Sequence, residues 1–309
     1  MKFPLQLFRD VPRFDFVGYR KLGFAITFIG LAASVFSMAT KGFNFGIDFT
    51  GGVVMEVRTD APADVGRMRT LLETAQTKDA SLQSVGDGHQ VLIRIKPQGT
   101  ENQNAVAQAV RSELDGGYGA HVDYLKVDYV GPQVGNELIY HSVLALSLAL
   151  VAMMLYLWFR FEWQYGLGGI LALFHDAVLG LGFYSITGIE FNLTSVAAIL
   201  TIIGYSINDS VVIYDRVREN LRKFKVRPLA DVLNLSINET LARTFLTAGT
   251  VLAALVGLVG FGGEVLFGFS AAMIFGVVVG TYSSIYVSAT VLIYMNLRGS
   301  EQRAVEVKA

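Results

Sequence analysis

Residues 203–216 read I-G-Y-S-I-N-D-S-V-V-I-Y-D-R. They close a run, 193–214, that is apolar for the length of a bilayer crossing except around Asp209, which has Asn208 and Ser210 beside it. About 20 mostly apolar residues make a membrane span, and an ionisable group inside one costs roughly 2.5–3.5 kcal/mol on insertion scales. An acid retained against that cost is a functional candidate; the plainer alternative is a carboxylate that hydrogen-bonds a neighbouring helix.

Outward from this span, the same window finds five more, at 22–39, 138–159, 166–187, 244–261 and 266–295. Between the first and second lies a polar, charged interval. The expected division is therefore a tail at 1–21, a transmembrane helix at 22–40, a water-soluble domain at 41–137, five further spans within 138–297 and a tail at 298–309. Composition agrees: of 309 residues 52% are hydrophobic and 17% charged, where soluble domains run nearer a quarter charged.

Lys and Arg in short loops set orientation. They crowd the N-terminal region (Lys2, Arg9, Arg13, Arg20, Lys21) and the stretch after the fourth span (Arg216, Arg218, Arg222, Lys223, Lys225, Arg227, Arg243), whereas the loops after the third and fifth spans hold Glu190 and Glu264. Both termini are expected to be cytoplasmic and the soluble domain outside, in a multi-pass membrane protein. Ser37-Met38-Ala39 has the form of a signal-peptidase site, but the long charged region before it favours an uncleaved anchor.

Inside the outer domain, alternation predicts strands at 51–59, 81–85, 90–96 and 122–130, and helical spacing predicts helices at 64–75 and 101–114. The order βαββαβ is the split βαβ, or ferredoxin-like, pattern. About 97 residues hold one small core and no large substrate chamber.

Several chemistries are excluded. The chain has no cysteine, so disulfides, thiolate zinc sites and a Cys nucleophile are absent. Four histidines, at 89, 121, 141 and 175, are scattered without metal-ligand spacing. No G-x-x-x-x-G-K-[ST] loop occurs, and a net charge of −1 gives no footprint for nucleic acid. No metal or cofactor is expected.

Three further features carry information. Asp176, preceded by His175, falls near the middle of the third span. Ser236, Thr240, Arg243, Thr247 and Thr250 recur at spacings of four and three, one helical stripe leading into the fifth span. Arg243 either approaches Asp209 or snorkels to lipid headgroups. F-G-I-D-F-T-G-G, residues 45–52, places Gly46, Gly51 and Gly52 where the chain must turn on leaving the membrane, with Asp48 as a cap for that turn. Gly276-V-V-V-Gly280 in the last span is a helix-packing match, followed by polar residues through Ser284.

F-G-I-D-F-T-G-G, then H-D in the third span, I-G-Y-S-I-N-D-S-V-V-I-Y-D-R-V-R-E-N through the fourth, A-R-T-F-L-T opening the fifth and G-T-Y-S-S-I-Y in the sixth resemble, in order and spacing, the SecF branch of the SecD/SecF family, part of the RND-like superfamily. The resemblance implies a six-helix half of an RND-type bundle with a small α+β extracytoplasmic domain. It implies a non-enzymatic subunit of the bacterial plasma membrane that uses the proton motive force to assist export of unfolded polypeptides. Partners implied are SecD, the SecYEG translocon, YajC and YidC. Residue by residue, Asp209 and Arg243 match the family's proton-coupling pair and His175–Asp176 its H-D motif, with Asn208, Thr240 and Thr247 as supporting polar groups. Ala242 departs from the Ser that many members carry before Arg-Thr. Rival readings are a proton-driven exporter of small molecules and a membrane scaffold without ion coupling.

Overall fold

The structure is a computed structural model and describes residues 11–73, 80–85, 88–95, 103–295 and 297. Lys2, Arg9, Lys96, the start of the predicted 101–114 helix, the end of the 64–75 helix and the tail at 298–309 lie outside the described residues.

Among the described residues, six helices are long and apolar enough to cross a membrane. In chain order, α1 is Arg20–Thr40 and a short α2, Ile47–Thr50, follows it. The outer domain then runs β1 Gly52–Thr59, α3 Val65–Leu71, β2 Ser81–Val85, β3 Gln90–Ile95, α4 Gln103–Gly117 and β4 Val122–Val130. The remaining helices are α5 Pro132–Arg160, α6 Trp163–Thr187, α7 Leu193–Lys223, α8 Leu229–Phe261 and α9 Gly263–Ser283.

The four strands form one antiparallel sheet in the order β2-β3-β1-β4, the order of a ferredoxin-like domain. Period-two alternation explains it: Val53, Met55 and Val57 of β1 and Val91, Ile93 and Ile95 of β3 are buried, while Val54, Glu56, Leu92 and Arg94 between them are partly open. Their buried face meets Met68 and Leu72 around α3, and Val106, Val110 and Leu114 of α4. A bulge at Leu125 shifts the β1–β4 register between Glu56 and Val57.

This core is a cluster distinct from the one in the bundle. Expressed alone, residues 41–137 should therefore unfold in one cooperative transition, followed by circular dichroism in urea. A fragment that stays disordered would mean that its core depends on the bundle.

Several helix limits differ from the hydropathy reading. α5 begins at Pro132, inside the segment assigned to the outer domain, because Gln133–Glu137 is polar yet helical and Pro132 suits the first helical turn. α7 continues nine residues past Tyr214 and α8 starts at Leu229, well before 244. Hydropathy locates the lipid; these polar turns are stabilised by pairing with protein instead. Asn238 and Asn234, four apart on α8, bond the backbone of Phe14 and Phe16, with Asn238 Oδ1 and Asn234 Oδ1 each 2.9 Å from the amide they accept. The segment before α1 is thus pinned to α8, with Val17 buried, where a plain tail was expected. The last span is not one regular helix: after Ser283 it becomes a π-helix over Ser284–Ala289 and a 3-10 turn at Leu292–Met295. Hydroxyls of Ser283, Ser284 and Thr290 bond carbonyls three or four residues back, which competes with the regular ladder.

Candidate functional site in the membrane bundle

α6 and α7 are the helices most enclosed by their neighbours, and α7 packs against α5, α6, α8 and α9. α9 reaches α7 closely because Gly276 faces Ile202 and Gly280 faces Ser206, where a Cβ on Gly280 would stand 3.1 Å from that of Ser206. That is the packing role expected of the G-x-x-x-G match.

At this crossing lies a buried polar cluster. Nδ1 of His175 is 2.8 Å from Oδ1 of Asp176, both side chains almost wholly enclosed. Oδ2 of Asp176 accepts hydrogen bonds from the hydroxyl of Ser206 on α7 and, at 2.7 Å, from that of Ser283 on α9. One carboxylate thereby ties three helices. Nε2 of His175 is buried with no hydrogen-bond partner among the described residues. Ser206 is not legible from the sequence, because a serine in an apolar span carries no signal by itself; Ser283 stands out there only as one of several polar residues.

Asp209 lies one helical turn beyond Ser206 on α7, a rise of about 4.5 Å, and about 24 Å along the helix from its start at Leu193. It is 3% exposed. Its Oδ2 is enclosed without a hydrogen-bond partner among the described residues. The positive charge that acts on it is Arg243, yet the two do not form an ion pair within 4 Å. Arg243 sits in the middle of α8, where a place at the helix opening was expected, and its side chain is exposed on the outer surface of the bundle. The hydroxyl stripe does not keep one environment: Ser236 and Thr240 are buried, Thr247 is half-buried and Thr250 exposed. Its hydroxyls bond carbonyls of their own helix, as Thr240 does to Ser236 and Thr247 to Arg243. Asn208 points to the exposed side of α7.

The turn motif is docked onto α7. Phe45 and Phe191 form a parallel bridge, with Gly46 N donating to Phe191 O at 2.9 Å and Phe191 N to Asn44 O at 2.8 Å. Asp48 does not cap its own turn: its Oδ2 accepts, at 3.0 Å, from the amide of Leu193, the first residue of α7. That satisfies one of the free amides at a helix start. Gly51 and Gly52 take φ of 71° and 136°, values that favour glycine. A cleft of about 740 Å³ opens between this root and the sheet, lined by polar groups such as Asn44, Gln83 and Asn192 and spanned by Arg94–Glu190 at 2.8 Å. It lies between domain and bundle, which a residue count of the domain does not reveal.

The family model described as "Protein export membrane protein SecD/SecF, C-terminal" matches residues 110–298. A second, "SecD/SecF GG Motif", matches 36–63, the segment that contains the docked turn. The protein translocase subunit SecF of Rickettsia bellii is 45% identical over 290 residues, 94% of this chain and 96% of that protein. The chain belongs to the SecF family. The SecF protein of Rickettsia felis is 43% identical over 304 residues, 98% of this chain and 99% of that one. Among solved structures, SecDF from Thermus thermophilus, described as a translocon-associated membrane protein, superposes with a TM-score of 0.80 at 37% identity over 92% of this chain. SecDF in a super-membrane-facing form gives 0.69 at 37% identity over 96% of it. The chain spans about two-fifths of each SecDF chain, 39% and 40%. As expected of a SecF-family member, it combines six membrane-crossing helices with a small antiparallel sheet domain.

Proposed function

We propose that the chain is an accessory subunit of the Sec protein translocase that lets the proton motive force assist export of unfolded proteins. It works paired with a SecD-type subunit beside the SecYEG channel, with YajC and YidC as further neighbours, in the bacterial plasma membrane and with both termini cytoplasmic. The observation that carries this reading is the enclosed carboxylate of Asp209 on α7, whose Oδ2 has no hydrogen-bond partner among the described residues, in a chain of the SecF family. A carboxylate in that position can hold or release a proton, and Arg243, near enough to act on it but not locked to it, supplies a counter-charge whose approach biases the choice. His175 and Asp176 belong to the same reading as the second acid of the route, one helical turn from Asp209 through Ser206. The outer domain, rooted on the first residues of α7 by Asp48, is then the part that α7 moves against the emerging polypeptide.

A polar cleft crossed by an ion pair fits a small-molecule chamber poorly, since such chambers are mostly apolar. The test uses inside-out vesicles from cells lacking the chain, resupplied with the chain and its partner. Export of a preprotein should rise with an imposed proton gradient and fall back on adding an uncoupler. Stimulation that survives gradient collapse would refute the coupling.

A further inference from the structure

At the end of the bundle away from the outer domain, α5 and α7 border a notch of about 560 Å³ lined by Arg160, Asp215, Arg218, Glu219, Arg222 and Lys223. Its two acids are already engaged. Arg160 Nη2 donates to both carboxylate oxygens of Asp215, at 2.8 and 3.0 Å. Glu219 accepts from Arg216 at 2.6 Å, and Arg216 is held on its other side by Glu239 at 2.7 Å. Arg218, Arg222 and Lys223 therefore face the notch with no carboxylate partner among the described residues.

The arrangement concentrates these charges. Asp215, Arg218 and Arg222 follow at three and four residues and so share one face of α7. The guanidinium carbons of Arg160 and Arg218 lie 4.7 and 5.8 Å from the centroid of the Phe161 ring, so both planar donor groups border the same ring beside the notch. Like charges four apart on a helix repel each other; an anion between them removes the repulsion. Guanidinium donors match the oxygens of a phosphate.

The surroundings say which phosphate. Trp158 and Trp163, both largely exposed, flank Arg160, and Phe159 beside them is 95% exposed. Exposed tryptophans of this kind mark the level of lipid headgroups. Above them α5 turns Leu148, Val151 and Leu155 outward, an apolar track on which acyl chains can lie. We propose that this notch binds the headgroup phosphate of an anionic phospholipid, with Arg218 and Arg222 as its ligands and the acyl chains against α5. A zwitterionic lipid brings its own ammonium to a site with surplus positive charge and is disfavoured.

Trp158 and Trp163 are the chain's two tryptophans, so their fluorescence reports occupancy at the site. The full-length chain is reconstituted in phosphatidylcholine containing increasing amounts of brominated phosphatidylglycerol or brominated phosphatidylcholine. Half-quenching is expected at an order of magnitude (about tenfold) lower mole fraction for the anionic lipid. R218Q/R222Q should erase that difference, and R218K/R222K, which keeps the charge, should retain most of it. Equal quenching by the two lipids in the wild-type protein, or an undiminished preference in R218Q/R222Q, would overturn the proposal. Glycerol 3-phosphate added in excess should leave the preference intact; its loss would assign the notch to a soluble phosphate and overturn the lipid assignment.

Discussion

Replacing Asp209 by asparagine is expected to leave insertion and assembly intact and to abolish the stimulation of export by the proton gradient. One proton crossing about 150 mV releases roughly 3.5 kcal/mol, from about 2.3 kcal/mol per 100 mV, enough to shift a two-state equilibrium several hundredfold. Capturing that energy requires a group that alternates between charged and neutral forms within the bundle. Asp209 is enclosed on α7 with one oxygen unpartnered, so its protonation is not fixed by a permanent hydrogen bond. Asparagine keeps the volume and cannot alternate. R243A should show the same loss, since the counter-charge disappears. The measurement is preprotein export into inverted vesicles with and without a gradient, alongside the yield of the assembled complex. Full gradient-dependent export in D209N would reduce the residue to an interhelical contact.

The second large effect concerns stability. Asp176→Ala removes the acceptor shared by Ser206, Ser283 and His175; Nδ1 of His175 is then stranded, Ser206 keeps only a 3.5 Å contact with Ser283 and Ser283 only its bond to the carbonyl of Gly280. Leaving a buried polar group without its partner costs about 1–3 kcal/mol, so losing the shared acceptor should cost roughly 3–5 kcal/mol in all, visible as a clear drop in the thermal unfolding temperature of the purified protein. Asp176→Asn retains an acceptor oxygen and should lose only about 1–2 kcal/mol. Equal melting of D176A and wild type would show that the bundle does not depend on the cluster.

Legibility from sequence followed the range of the forces involved. The strands at 81–85 and 122–130 lie where the sequence reading places them, because apolar–polar patterning is a local property. The packing role of Gly276 and Gly280 was readable for the same reason. Helix ends were not: Asn234, Asn238 and Glu239 look like loop residues until Phe14, Phe16 and Arg216 are found against them. His175–Asp176 and Asp209 each stood out as charges in apolar runs. That Ser206 lies between them depends on where α6 crosses α7, which no spacing within one segment encodes. The sequence marks Asp48 as a cap for its own turn, but the helix start it serves lies 145 positions away.

The root of the outer domain has a mechanical meaning. Its two stems carry no slack: Gly131 alone separates the end of β4 from α5, and α2 is pressed against α5, where a Cβ on Gly135 would meet the carbonyl of Phe49 at 2.6 Å. The same α2 holds the start of α7 through Asp48. Such a joint behaves as a crank rather than a tether. Under the proposed function, a small axial slip between α5 and α7 would tilt the whole domain, with the sweep largest at the tip farthest from the membrane, so a sub-turn displacement inside the lipid would be magnified into a stroke outside it.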